Sequence, residues 1–161
     1  MTETTLFIRQ LFERGAALQV GVEEVSVDLV GLVPFTLVSF REAKRQQRVA
    51  SVALLKRVEQ SQDVLARLLR ALAAWQGQDA ATMTQRDLGN FAEKLNAVDS
   101  AEDWMAFVRL RNRLVHEYPL DEAEQVARVN ACWAKVGFAA EMMERLRTYA
   151  ASQGLTEIKR S

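Results

Sequence analysis

Eight consecutive residues, RNRLVHEY from Arg111 to Tyr118, gather the side chains best suited to chemistry in this chain, including its single histidine, His116. An imidazole whose ordinary pKa is about 6.5 can remove or return a proton near neutral pH. A guanidinium such as that of Arg111 can hold the charged oxygens of a phosphorane with two parallel hydrogen bonds. A neutral amide, Asn112, can position either the imidazole or the phosphate. These types suit one reaction class, cleavage of RNA by attack of a ribose 2′-hydroxyl on its own phosphate, with His116 as general acid/base and Arg111 as stabiliser of the charged transition state. Neither a metal nor a cofactor is called for, because one histidine with no nearby cysteine and no suitably spaced carboxylates makes a poor zinc site. A Ser-His-Asp or Cys-His nucleophile is equally poorly supported.

A bland reading competes with the catalytic one. Cations are favoured at the C-terminal end of a helix by its dipole, and the octapeptide falls at such an end. Tyr118 alone would read as a packing residue with its hydroxyl at the surface.

The octapeptide must be carried by a helix that starts at Ser100, with Asp103 three residues on, and runs AEDWMAFVRLRNRLVHE on a buried side of Trp104, Phe107, Val108, Leu114 and Val115. Pro119 disfavours helical geometry at Tyr118, so the helix should end near Glu117. At about 100° per residue, Arg109, Asn112 and Arg113 project on the face of His116, whereas Arg111 lies about 140° away. If the last turn stays regular, Arg111 and Tyr118 share a second face. Cooperation of Arg111 with His116 then calls for its long side chain or for a second copy of the site, which is a geometric reason to expect a dimer.

Around this helix the chain reads as all-α. Apolar residues recur at helical spacing from Thr4 to about Val20, with Thr2 or Thr4 as N-cap, and a connector with β-branched alternation and Gly21, Gly31 and Pro34 follows. Pro34 suits a first helical turn, and no glycine or proline then interrupts the chain until Gly77. Forty such residues would span about 60 Å, wider than a domain of this size, so a break is expected between Arg45 and Ser51. A turn over 77–83 precedes a short helix opened by Thr84 with Asp87 at the capping-box position. The last helix opens near Asp121 and runs to about Ala150, leaving 153–161 as a frayed tail. One domain over 1–152 is expected, with no repeat and no heptad pattern.

Composition agrees. Of 161 residues 49% are hydrophobic and 26% charged, with only seven glycines and two prolines, a balance suited to a helical protein. Basic and acidic side chains balance at 21 each, so there is no global positive field to draw nucleic acid, and any such contact needs a local patch. Arg41, Lys44, Arg45 and Arg48 form one candidate, with Arg109 and Arg113 near the motif. The lone Cys132 excludes an internal disulfide and fits a reducing, cytoplasmic setting. The N-terminus has an acid at position 3 and an arginine inside its apolar stretch, unlike a signal peptide. The longest apolar stretch, Val25 to Phe40, is interrupted by Asp28 and Pro34 and is too short to cross a membrane.

The string RNRLVHEYP, preceded by MTQRDLGNFAEKLNAVDSAEDWMAFVRL, resembles the HEPN superfamily, and most of all the HepT-like toxins encoded beside minimal nucleotidyltransferase (MNT) antitoxins. The shared pattern of Arg, a polar residue, three to five others and His falls at Arg111, Asn112 and His116, and the tyrosine two residues after the histidine at Tyr118. The likeness covers roughly 41–150. It implies a four- to five-helix up-and-down bundle, HEPN-like, that forms a symmetric homodimer with two motifs facing each other. It also implies a metal-independent endoribonuclease, the toxin of a bacterial toxin-antitoxin pair, neutralised when the MNT partner transfers AMP from ATP to Tyr118. Some members of the superfamily instead bind RNA or a nucleotide without cleaving it, as substrate-binding partners of a nucleotidyltransferase, and this is the alternative function.

Overall fold

A computed structural model describes residues 2–155. Six α-helices build it: α1 (Glu3–Val27), α2 (Leu37–Glu42), α3 (Arg45–Trp75), α4 (Gln85–Lys94), α5 (Ala101–His116) and α6 (Glu122–Ser152), with a 3-10 turn at Ala80–Thr82. No strand occurs among the described residues. The count exceeds the four to five expected because α2 stands alone as a six-residue helix.

Capping chemistry sets the starts. Thr2, Thr36, Thr84, Ser100 and Asp121 each accept a hydrogen bond from a backbone N–H in the first turn of the helix they open. Thr84 and Asp87 complete the reciprocal capping box that their spacing predicts. Three helices end alike: Gln78, Ala97 and Leu155 donate back to Ala73, Ala92 and Ala150, and the residues before them, Gly77, Asn96 and Gly154, have positive φ. Leu155 is thereby buried against the core, so one residue of the expected frayed tail is packed while Gln153 and Gly154 are exposed, and 156–161 lie outside the described residues.

Several boundaries differ from expectation. Helix α1 continues seven residues past Val20, because Val22 is buried and Val25 packs partly against the core, three residues apart on one helical face. Gly21 does not break it: the Arg57 side chain lies across that position, where an added Cβ would meet Nε at 3.1 Å. Val25 and Val27 of the β-branched alternation are therefore helical, and Leu29 lies in the turn that follows. Pro34 precedes the N-cap Thr36 and is not a first-turn residue. The break in the long segment falls at Ala43 and Lys44, just before the expected span, both extended with ψ near 150°.

Helix α3 is the axis of the molecule and packs against α1, α4, α5 and α6. Side-chain pairs give the directions. The start of α1 and the end of α3 line one groove while Gly21 lies against Arg57, so α1 and α3 are antiparallel. Arg145 of α6 reaches Asp99 just before α5, and Arg128 reaches the carbonyls at the end of α5, so α5 and α6 are antiparallel too. Gln76 meets Tyr149 near the ends of α3 and α6, which run parallel. The four long helices α1, α3, α5 and α6 thus alternate up and down, with α4 laid against α3 and α5.

The core joins these helices without a gap: Leu54, Leu65, Leu68, Leu69 and Leu72 of α3 meet Ile8 and Leu11 of α1 and Met142 and Leu146 of α6. Trp104 and Phe107 fix the motif helix. Both are fully buried, and the Phe107 ring packs edge-on to Trp104 at 6.2 Å and to Phe138 of α6 at 5.6 Å. Burying a side chain of this kind stabilises the fold by about 1.5–3 kcal/mol. Asn130 of α6 pins the chain between α1 and α2, donating to the Phe35 carbonyl and accepting from its N–H, each at 2.8 Å.

Candidate functional site

Helix α5 anchors its inner face through Trp104, Phe107, Val108 and Leu110 and so turns its last two turns outward. Asn112, Arg113 and His116 are all exposed, on the shared face that the 100° spacing predicts. Arg111 departs from them. It is half-buried, and its Nε donates to Asp63 Oδ1 of α3 at 3.1 Å. Within one chain the structure therefore brings Asn112, Arg113 and His116 together and turns Arg111 aside.

The last turn does not stay regular. Glu117, the C-cap, is extended at φ −122° and ψ 122°, so Tyr118 leaves the helix and does not share a face with Arg111. Tyr118 is 92% exposed and Leu120 93%. A tyrosine packed as the bland reading has it would be covered, and this one is not.

The basic residues divide. Arg109 is engaged by Glu102 Oε1 at 2.5 Å, and Glu102 also accepts from Arg86. These bonds, Arg109 first, hold the Glu102 carboxyl below its ordinary value. Arg41 is paired with Glu122 at 3.1 Å. That pair places the end of α2 beside the start of α6, four residues beyond Tyr118, and α3 begins at Arg45 just after α2, so Lys44, Arg45 and Arg48 lie toward the same end of the bundle as the octapeptide. These three are exposed and make no ion pair among the described residues. Arg113 is likewise without one.

One residue at this site escaped the sequence reading. Arg128 of α6, only 8% exposed, donates to the carbonyls of Arg113 and Glu117 and to Glu124 Oε1 at 3.1 Å. It closes the C-terminus of the motif helix, where carbonyls lack intrahelical partners. Glu124 also accepts from the Leu120 N–H at 2.8 Å, and that bond followed by Arg128 holds its carboxyl below the ordinary 4.5. Arg128 and Glu124 together fix the loop that carries Tyr118. An arginine four residues after a glutamate is the only local signal, and it is common on helices.

Cys132 is buried, and burial pushes its thiol up to about 12 although Arg113 and Arg128 pull it down. It remains a neutral thiol near pH 7 and has no nucleophilic part in this site. Among the described residues no three His, Cys, Asp or Glu side chains cluster closely enough to hold a metal ion. Among them, too, no helix is long and apolar enough to cross a membrane.

Comparison of the chain with family models, with curated proteins and with solved structures gives no match.

Proposed function

We propose that this protein is a metal-independent endoribonuclease of the HEPN type, the toxin of a bacterial toxin-antitoxin pair that works as a homodimer in the cytoplasm. The observation that carries the reading is the exposure of His116, Asn112 and Arg113 on one face at the end of α5, beside an exposed Tyr118. The resemblance of RNRLVHEY to the HepT-like motif supports it.

The chemistry follows from the groups present. His116 removes the proton of a ribose 2′-hydroxyl, whose oxygen forms a bond to the adjacent phosphorus while the bond to the 5′-oxygen breaks. A proton returned by an imidazolium leaves with that oxygen, so the products are a 2′,3′-cyclic phosphate and a 5′-hydroxyl. Arg111 and Arg113 offset the charge that develops on the phosphorane. Because Arg111 points toward α3, the guanidinium that completes a His116 site comes from a second copy of the chain. Tyr118 is the acceptor through which an MNT-type nucleotidyltransferase switches the enzyme off: an AMP group there adds an anion beside the phosphate site.

Expression in cells tests this. The His116→Ala protein, altered at an exposed position, should fold and melt like wild type yet lose growth inhibition and RNA cleavage. Equal toxicity of the two proteins would sink the proposal. The engagement of Arg111 by Asp63 favours a second reading, a module that binds RNA or a nucleotide for a nucleotidyltransferase without cutting it. That reading predicts binding weakened by Arg111→Ala and no cleavage of any RNA.

A further inference from the structure

The chain carries equal numbers of acidic and basic residues, so a place where three arginines meet a single carboxylate stands out. Such a place is the cleft of about 520 Å³ between α1 and α3, far from the His116 face in sequence and built from other helices. Arg14 comes from α1, and Arg57 and Arg67 from α3. None of the three makes an ion pair among the described residues. The one carboxylate lining the cleft, Asp63, is already matched by Arg111. The cleft therefore holds a surplus of positive charge.

Arg57 is laid in place for a ligand. Its side chain lies over Gly21, its Nη1 donates to Gln60 Oε1 at 3.0 Å, and its Nε is buried with no acceptor among the described residues. A buried guanidinium N–H is costly without an acceptor, and an anion supplies one. Arg57 and Arg67 stand ten residues apart on α3, about 15 Å along the axis, with Leu18 and Val64 between them as an apolar floor. Charge at the ends and apolar surface between suit a small organic body that carries a phosphate, and the volume lies in the range of small-molecule sites. Three guanidiniums match a dianion better than the single charge of a backbone phosphodiester.

We infer that the α1–α3 cleft binds the phosphate monoester of a small molecule, its dianion held at the Arg57 end and its body lying on Leu18 and Val64 with Arg67 against its far end. The cleft adjoins the motif helix through the Asp63–Arg111 pair, but ligand binding here does not require RNA cleavage and is tested separately from it.

Calorimetric titration of the full chain tests the assignment, with AMP, adenosine, inorganic phosphate and a short RNA lacking a terminal phosphate as probes. AMP should bind at least about tenfold more tightly than adenosine, and more tightly than inorganic phosphate, since a charged fork loses its partner in the first and the floor its contact in the second. Arg67→Gln, at an exposed position, and Arg57→Lys, which keeps the stem and charge but not the fork, should each weaken AMP by about tenfold or more without lowering the melting temperature. His116→Ala should bind AMP as wild type does. Absence of AMP binding at millimolar concentration, unchanged affinity in Arg67→Gln and Arg57→Lys, loss of binding in His116→Ala, or binding of the RNA alone would each overturn it.

Discussion

Arg111 of the motif helix α5 donates its Nε to Asp63 of α3, 48 residues earlier in the chain, and among the described residues only that nitrogen of the guanidinium is engaged. On the proposed ribonuclease reading the two terminal amino groups turn toward a phosphate, and Asp63 is then a positioning residue for Arg111. Both side chains are partly exposed, at 28% and 40%, and a pair of this kind contributes about 1 kcal/mol or less to stability. Asp63→Ala should therefore change the urea midpoint little while lowering kcat for RNA cleavage about tenfold with KM less affected, and Asp63→Glu should recover part of the loss. Unchanged kcat in Asp63→Ala would show that the pair serves stability alone.

Gly89 governs how closely α4 approaches the motif helix. An added Cβ would stand 3.1 Å from Trp104 Cδ1 and 3.2 Å from the Ala101 carbonyl oxygen, and backbone cannot yield as a side-chain tip can. Alanine would gain about 1 kcal/mol in helix propensity, against about 1–3 kcal/mol for overpacking beside a fully buried tryptophan. Gly89→Ala should thus lower stability by about 1 kcal/mol in urea unfolding; a stabilised variant would mean that α4 slides freely on α5.

The loop after α5 should respond to acid. Glu124 has its folded pKa held below the ordinary 4.5 by the Leu120 N–H and by Arg128, so the stability it contributes is fully present above pH 4.5 and is lost as pH falls through the lower folded value. Asp87, held down by Thr84, acts in the same direction. Urea midpoints measured from pH 7 to pH 3 should decline below about pH 4.5, and Glu124→Gln should make that decline shallower. Removing Arg128 orphans the last carbonyls of α5, and Arg128→Ala should cost about 2 kcal/mol at neutral pH. An acid limb identical in Glu124→Gln and wild type would assign the decline to other carboxylates.

Local chemistry explains what could be read before folding. Ser100, Thr84 and Asp121 announce helix starts because an N-cap acts within its own turn, and Pro119 limits α5 for an equally local reason. The end of α1 was hidden, since Val25, Val27 and Leu29 alternate like a strand and Gly21 reads as a break until Arg57 of another helix is seen lying over it. The face shared by Asn112, Arg113 and His116 follows from periodicity alone. The Asp63 partner of Arg111 and the Arg128 closure of α5 join residues 48 and 15 apart, and nothing in either local sequence marks them.

Tyr118 provides the sharpest test of control by a nucleotidyltransferase. Its ring is 92% exposed on a loop that has left the helix at Glu117. Tyr118→Phe should therefore alter stability by less than about 0.5 kcal/mol, as expected of a surface position. In the transfer, the phenolic oxygen bonds to the α-phosphorus of ATP, the phenolic proton is lost, and pyrophosphate leaves. Incubated with ATP and the proposed MNT-type partner, wild type should gain the mass of AMP and lose cleavage, because the added phosphodiester places a negative charge near His116, the proposed phosphate site. The Tyr118→Phe protein should gain no mass and keep cutting RNA under the same conditions. Mass gained by that variant would place the acceptor elsewhere, whereas modification of wild type without loss of activity would separate Tyr118 from the phosphate site.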